Sequence, residues 1–276
     1  MGIAKSHSVE SMAARAFTRQ SASFDQLFTT NPIVQYKRQR VRDHVQQWIS
    51  PRSSILELNA GTGEDAVWFA SRGHDVHATD LSTGMREQFL DKAALHETTG
   101  RISHELCSFT ELGTLANKGP FDMIFSNFAG LNCTGRLDKV LADLPELLKP
   151  GGLVTMVIMP GFCIWEFLLA FKGKFKTAFR RLAGRNGTKA HIEGEYFTCW
   201  YYNPSYVIRH MPAQFELVSL EGLCTLVPPS YFENFPSKRP LLFEWLKKKE
   251  FNLKSRRPWR SVGDYFIITF KKKTDN

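Results

Sequence analysis

The chain of 276 residues has no closely spaced cysteine pair; Cys107, Cys133, Cys163, Cys199 and Cys224 stand singly. No CxxC spacing supports a zinc site, and no metal is expected. An odd cysteine count would leave one thiol unpaired under oxidising conditions, so a reduced, cytoplasmic setting is expected. The N-terminal residues lack the long apolar segment of a signal peptide. No unbroken apolar run is long enough to cross a bilayer, because the 19-residue stretch 153–171 is interrupted by Pro160, Gly161 and Glu166. Solenoid repeats are absent as well. What remains is 43% hydrophobic and 23% charged, ordinary for a soluble globular chain and far from the composition of a disordered one.

A net charge of +9 is concentrated in three places: Lys172 to Arg185, Lys247 to Arg257, and Lys271 to Lys273. Local clusters of this kind read as solvated faces and tails, or as surfaces for an acidic partner or an anionic membrane.

Hydrophobic periodicity organises the chain into a single domain, 1–276, with four parts. Residues 1–50 read as an N-terminal helical segment, with Phe24, Leu27, Val34 and Val41 on apolar positions and a break at Pro32. Residues 51–160 alternate short apolar runs (55–58, 76–79, 102–107, 121–126 and 153–159) with helical stretches such as 63–72, 83–97 and 137–148. That alternation argues for a parallel sheet with helices on both faces. Residues 161–214 change to an aromatic and basic composition and read as a cap insertion. Within them, apolar residues from Ile164 to Leu182 recur at three- and four-residue spacing among lysines and arginines, which predicts a basic amphipathic helix interrupted at Gly173. Residues 215–276 carry two more strand-like runs, 215–220 and 265–270, around a proline-rich stretch expected to be an irregular inserted loop.

The densest motif is Ile55-Leu56-Glu57-Leu58-Asn59-Ala60-Gly61-Thr62-Gly63-Glu64-Asp65, an apolar strand ending in a small-residue turn and a helix start. Gly61 to Ala66 satisfies G-x-G-x-x-G/A, and Asp80 ends the next apolar run, where a carboxylate can accept both ribose hydroxyls. Spacing alone allows a nicotinamide dinucleotide or a nucleoside sulfonium. The chain has no Tyr-x-x-x-Lys pair, which argues against an oxidoreductase. Glu57 is a carboxylate inside a buried strand, costly unless it meets hydrogen bonds or a positive charge.

With Asp80-Leu81-Ser82 and Met85, Phe121 to Phe128, and Leu147-Leu148-Lys149-Pro150-Gly151-Gly152 following in order, the series resembles that of class I S-adenosylmethionine-dependent methyltransferases over residues 20–160. The small-molecule branch, of secondary-metabolite and quinone type, is the most similar. The resemblance implies a Rossmann-like α/β fold: a seven-stranded sheet, mostly parallel with the last strand antiparallel, and helices on both faces. It implies S-adenosyl-L-methionine as cofactor and S-adenosyl-L-homocysteine as product. Glu57, Asn59, Ala60, Gly61, Thr62 and Gly63 would then face the methionine part and Asp80 the ribose. Leu81, Met85, Ser108 and Phe109 would meet the adenine, and Asn127 and Phe128 the sulfonium. Asn59 departs from the glycine usual in the family, though Asn is the best tolerated non-glycine residue at positive φ.

Methyl transfer requires a nucleophile held in line with the methyl carbon and protected from water, and a general base is optional. The segment 189–202 offers His191 as a candidate base, with Glu195 or His210 as replacements. Tyr196, Trp200 and Tyr201 are candidates to line an acceptor pocket, and Tyr36 to close the cofactor site. The expected acceptor is a small aromatic, polyketide-like or lipid-like molecule methylated at oxygen or carbon, with an acyl-carrier protein or an anionic membrane surface as partner through 162–185. Nucleic acid is disfavoured, because Ser126-Asn127-Phe128-Ala129 is not the Asn/Asp-Pro-Pro-Tyr/Phe of amine-methylating enzymes and no RNA-binding module accompanies the core. Methylation of RNA or protein, a non-catalytic S-adenosylmethionine-binding scaffold and, behind these, an NAD-dependent oxidoreductase are the alternatives.

Overall fold

The computed structural model describes residues 3–96 and 99–274, and the side chains of these except 3–8, 99 and 183–185. Helices α1 (Ile3–Thr29) and α2 (Pro32–Gln46) precede the sheet. The core then runs β1 (Ser54–Leu58), α3 (Glu64–Ala70), β2 (Asp75–Asp80), α4 (Thr83–Leu95), β3 (Ile102–Leu106), β4 (Phe121–Ser126), α5 (Leu137–Asp143) and β5 (Leu148–Ile158). Next come α6 (Ile164–Leu168), α7 (Phe175–Phe179), the hairpin β6 (Thr188–Ile192) and β7 (Glu195–Cys199), and α8 (Pro204–His210). Strand β8 (Phe215–Leu223), helices α9 (Phe235–Lys238) and α10 (Pro240–Leu253), and strand β9 (Tyr265–Lys272) complete the chain.

Seven strands form one sheet in the order β3-β2-β1-β4-β5-β9-β8, with β9 antiparallel to both neighbours and the other pairings parallel. Alternate residues of each strand feed opposite faces. Ile55, Met123, Phe125, Val157 and Ile267 pack with Val41, Phe69 and Phe89 from α2, α3 and α4. Leu56, Ile124, Val154, Met156 and Ile268 pack with Val140 and Val207 from α5 and α8. Emptying one of the larger positions, for example Phe125→Ala, removes about 3–5 kcal/mol of stability.

Local chemistry sets the element boundaries near the site. Asn31 caps α2 by accepting hydrogen bonds from the Ile33 and Val34 amides, and Pro32 occupies the first turn, where its missing N–H costs nothing. Ser82 caps α4 through the Met85 amide. The helix expected over 83–97 ends at Leu95, and Glu97 lies outside the described residues.

Two segments depart from the sequence reading. The stretch 162–182 breaks at Gly173 as expected, but its pieces are shorter than two halves of one helix. It forms the short α6 and α7 joined by a tight 3-10 turn and Gly173, whose φ of 75° stops helix propagation. The side chain of Arg185, the end of that basic cluster, lies outside the described residues. The proline-rich C-terminal insertion holds the 14-residue helix α10, because Pro240 sits in its first turn and the next proline, Pro258, falls beyond its end. Among the described residues, no helix is long and apolar enough to cross a membrane.

Candidate functional site: a roofed crevice at the ends of β1, β2 and β4

The strand order reverses between β1 and β4, so the loops after them diverge and leave a crevice at the carboxyl ends of the strands. A cavity of about 140 Å³ lies there, and α1 crosses it. Glu10, Ala13, Ala14 and Phe17, spaced at three and four residues, put one face of α1 into the cavity, joined by Phe24.

Side chains pin α1 in place. Glu10, only 4% exposed, accepts hydrogen bonds from Ser108 Oγ at 2.5 Å, Thr110 Oγ1 at 2.7 Å and Thr134 Oγ1 at 2.8 Å. Thr18 and Ser82 hydroxyls pair at 2.8 Å. Asp25 accepts from Thr62 Oγ1 at 2.6 Å and pairs with Lys92 at 2.6 Å.

The loop after β1 is held from three directions. Ala60 donates its amide to Thr79 O, and Gly63 donates to Ala60 O. Gly63 adopts φ 82°, and a Cβ there would lie 2.5 Å from the Phe89 ring, so both backbone and packing require glycine. Asn59 takes φ 49° and is braced against β4: its Nδ2 donates to Asn127 O at 2.9 Å, and its Oδ1 accepts from Ser126 Oγ at 2.6 Å. An asparagine thus does by side-chain bracing what a glycine does by having no side chain.

Electrostatically the crevice is a buried cluster of three carboxylates, Glu57, Asp65 and Asp80, with the guanidiniums of Arg38 and Arg42. Asp65 is paired with Arg42 at 2.9 Å and Arg38 at 3.5 Å and accepts from Asn127 Nδ2 at 2.7 Å. Burial pushes its carboxyl up, but the two arginines and Asn127 outweigh that and hold it below its ordinary value. At Glu57 the same two arginines lower the carboxyl but do not outweigh burial. Its Oε2 is buried without a hydrogen-bond partner, and burial, with Asp65 adding repulsion, raises its carboxyl well above the carboxylate range. Arg38 Nε is likewise buried and unpartnered. Asp80 accepts from the amides of Gly61 at 2.9 Å and Ser82 at 2.8 Å, yet burial still raises its carboxyl.

A ligand carrying an ammonium and a carboxylate at one end answers both orphaned atoms, and each Asp80 oxygen retains capacity for a ribose hydroxyl. The donor set therefore fits the amino-acid and ribose portions of S-adenosylmethionine. The apolar remainder, Leu81, Met85, Phe109 and Phe128, suits a flat ring and excludes water.

Of the residues singled out from sequence, Glu57, Asn59, Ala60, Gly61, Thr62, Asp80, Leu81, Met85, Ser108, Phe109, Asn127 and Phe128 line this one cavity. Gly63 stands behind it, against Phe89. The cap residues are elsewhere. His191 is exposed on β6 with its ring 4.5 Å from Tyr196, and Glu195 pairs with Arg19 at 2.9 Å. His210 is exposed at the end of α8 and bonds Tyr206 O. Trp200 packs beside Gly135 and Gly187, Tyr201 lies under the Arg181 guanidinium, and Tyr36 donates to Glu250 at 2.9 Å; none of the three lines the cavity.

Sequence reasoning missed Glu10, Phe17, Arg38, Asp65 and Cys133, all in the lining. Two signals were available: the 10-13-14-17 face of α1, and the four-residue spacing of Arg38 and Arg42, which brings both guanidiniums to Asp65. Burial raises the Cys133 thiol well above its ordinary value, so it is no thiolate nucleophile.

Behind Phe128 a second buried network ties the cap to α2. Lys37 lies over the Tyr265 and Phe128 rings and pairs with Asp264 at 3.5 Å; Asp264 pairs with Arg181 at 2.8 Å, and Arg181 with Glu166 at 2.6 Å. Cys163, Glu166 and Asp264 bring ligand atoms within 4.8 Å of one another, and Arg181 supplies the positive charge between the two carboxylates.

Comparisons with known proteins agree with this geometry. Residues 55–152 match the model of a methyltransferase domain family. Over 107 residues, 39% of each chain, the protein is 31% identical to the malonyl-[acyl-carrier protein] O-methyltransferase of Salmonella typhimurium. It is 26% identical over 133 residues to an uncharacterized methyltransferase of Synechocystis sp., covering 47% of this chain and 59% of that one. The matches thus span less than two thirds of the length of these curated relatives. Among solved structures, a putative S-adenosylmethionine-dependent methyltransferase from Listeria monocytogenes superposes with a TM-score of 0.59 at 15% identity, covering 84% of this chain and 96% of that one. The 1,6-didemethyltoxoflavin-N1-methyltransferase of Burkholderia thailandensis does so at 0.57 and 15%, covering 98% and 91%. Strand order and motif series agree with the match of residues 55–152 to a methyltransferase domain family, and the fold is the Rossmann-like one of S-adenosylmethionine-dependent methyltransferases.

Proposed function

We propose that this protein transfers a methyl group from S-adenosylmethionine to a small organic acceptor, an aromatic, polyketide-like or lipid-like molecule, at oxygen or carbon. The observation that carries the reading is the pair of unpartnered buried atoms, Glu57 Oε2 and Arg38 Nε, in residues that line one crevice with Asp80. Glu57 holds the ammonium, Arg38 the carboxylate and Asp80 the ribose hydroxyls. When bound, the cofactor supplies an electrophilic methyl carbon whose bond to sulfur breaks as the acceptor's electron pair forms the new bond. The protein's share is positioning and exclusion of water: α1 roofs the crevice with Ala13, Phe17 and Phe24, and Phe109 and Phe128 wall it. In the lining, Glu10 is held by three hydroxyls, Glu64 by Lys92 and Asp65 by Arg38 and Arg42, Cys133 is a buried thiol with its value raised, and Glu57 and Asp80 are assigned to the cofactor. We therefore assign no general base there and expect an acceptor whose own proton is acidic or lost to water. His191, Glu195 and His210, and Tyr36, Tyr196, Trp200 and Tyr201, belong to this reading only if the cap closes over the acceptor.

The acceptor class is supported by relatives. Matches include a highly reducing polyketide synthase of Phaeosphaeria nodorum, 31% identical over 114 residues, besides the malonyl-carrier methyltransferase, which also makes an acyl-carrier protein a candidate partner. A geranyl diphosphate C-methyltransferase from Streptomyces coelicolor shares the fold with a TM-score of 0.55. A second reading, a cofactor-binding scaffold without methyl turnover, is favoured by the [4+2]-cyclase that also shares the fold, at a TM-score of 0.56.

Calorimetric titration with S-adenosylmethionine, S-adenosylhomocysteine and NAD tests the site. Binding of the first two and not of NAD, weakened at least about tenfold in Asp80→Ala, is expected. Binding of NAD alone would return the loop to a dehydrogenase. Transfer of labelled methyl to candidate acceptors separates the enzyme from the scaffold.

A further inference from the structure

The end of the sheet beside the crevice carries a surface that the methyl-transfer reading does not use. Ile158, the last residue of β5, pairs with Phe266, and Leu223, the last of β8, pairs with Tyr265. The insertions 159–214 and 224–264 therefore leave the sheet at the same end, on either side of β9. They are bonded to each other: the Ile164 amide donates to Val262 O, Trp165 Nε1 donates to Thr225 O, and the Trp165 and Phe232 rings lie 5.6 Å apart.

Large apolar side chains project from both. Phe171 is 82% exposed, Phe175 60% and Leu182 65% on the first insertion; Leu241 is 86% and Trp245 53% exposed on the second. Cations stand among them, with Lys172, Lys174 and Lys176 exposed on one insertion and Lys248 and Lys249 on the other. Glu193, Glu233 and Glu244 are exposed on these insertions, but the other acidic groups beside the apolar side chains are buried or paired. Glu166 is buried and held by Arg180 and Arg181, Glu250 is buried and accepts from the amides of Cys224, Thr225, Leu226 and Val227, and Glu244 pairs with Lys247. Phe162, Phe171 and Phe179 surround the Phe167 ring at 5.7, 6.5 and 6.1 Å, and an exposed apolar cluster of this kind ordinarily marks an interaction site.

We infer that these two insertions dock on an anionic lipid bilayer, the rings entering the headgroup boundary while the lysines meet lipid phosphates. Exposed apolar residues flanked by more lysines than carboxylates are the composition of an interfacial membrane face. An acidic carrier protein would match the charges, but Phe171 and Leu241 stand proud of the surface instead of lining a groove. A deformable bilayer accommodates such protrusions better than a rigid partner. The inference stands on this surface and not on the cofactor site.

The test is flotation of the full chain with phosphatidylcholine vesicles and with vesicles that also contain phosphatidylglycerol. The expected result is flotation with the anionic vesicles only, weakened by salt. In Phe171→Ser/Phe175→Ser/Leu241→Ser, partitioning should fall about tenfold or more, with cofactor binding and far-ultraviolet dichroism unchanged, since none of the three lines the crevice. Failure of the wild-type chain to float with anionic vesicles at low salt overturns the inference. So does a triple variant that partitions as well as wild type. Binding to an acidic acyl-carrier protein in place of vesicles assigns the surface to a protein partner and overturns it too.

Discussion

Replacing Glu57 by Gln keeps the shape of the side chain and removes its charge, at a position where the two states of the site want opposite things. Without ligand, the carboxyl is buried, its Oε2 has no partner, and it is held well above its ordinary value, first by burial and then by Asp65. A carboxyl with a raised folded-state value contributes most to stability below its unfolded value. It costs stability progressively as pH rises from there through its folded value. Glu57→Gln abolishes that decline, so at neutral pH the variant should be at least as stable as the parent, and its stability should vary less across mildly acidic to neutral buffers. With cofactor present the sign reverses, because a charge-assisted hydrogen bond to the ammonium is worth about 1.5–3 kcal/mol. Losing it should weaken binding about ten- to hundredfold. Titration calorimetry in mildly acidic buffers of different ionisation enthalpy adds a second readout: the wild type should release more proton on binding the ammonium than Glu57→Gln does. Unchanged affinity in the variant, or a loss of thermal stability in step with the loss of affinity, would refute the assignment.

Arg38→Ala should weaken S-adenosylmethionine about tenfold or more while leaving 5′-methylthioadenosine, which lacks the carboxylate, unaffected; Arg38→Lys should fall between, since an ammonium cannot reproduce the guanidinium fork. If both ligands weaken equally, Arg38 is only a structural partner of Asp65. A general base contributes about 10²–10⁴-fold to rate, so His191→Ala and His210→Ala, both outside the crevice, should change kcat by less than about threefold; a hundredfold loss in either would show that the cap closes during turnover. Glu221 is pushed up by burial but drawn down to about 2 by His44 and Lys254. Its contribution to stability is therefore complete above the ordinary value of 4.5 and lost as pH falls toward 2. Glu221→Gln should flatten the acid limb of the denaturation profile, and an unchanged limb would remove Glu221 from the account.

Most of the sheet and one side of the crevice were legible because local signals and the final fold agree there. Strands β1, β2 and β4 are short apolar runs bounded by turn residues, and the loop from Asn59 to Gly63 carries its own conformational signature. Elsewhere the information was long-range. Arg38 looks like any surface arginine until α2 packs beside Asp65, and Glu10 gains its meaning from three hydroxyls about a hundred residues away. The cap misled in the opposite direction: polar and aromatic residues crowded in sequence around 189–202 became a two-stranded hairpin whose His191 faces solvent. Proline density suggested an irregular loop, yet Pro240 begins a helix.

The helix that roofs the crevice is also its door. On the proposed function, release of spent cofactor would draw on the Glu10, Thr18 and Asp25 contacts that hold α1, so the tempo of the cycle would depend on the unlatching of α1 as well as on the chemical step. Shaving a single hydroxyl, for example Thr110→Val, should then hasten the departure of S-adenosylhomocysteine more than it alters the affinity for it, a change visible in stopped-flow dissociation. Residue choices on the first turns of this chain would set how long each product lingers.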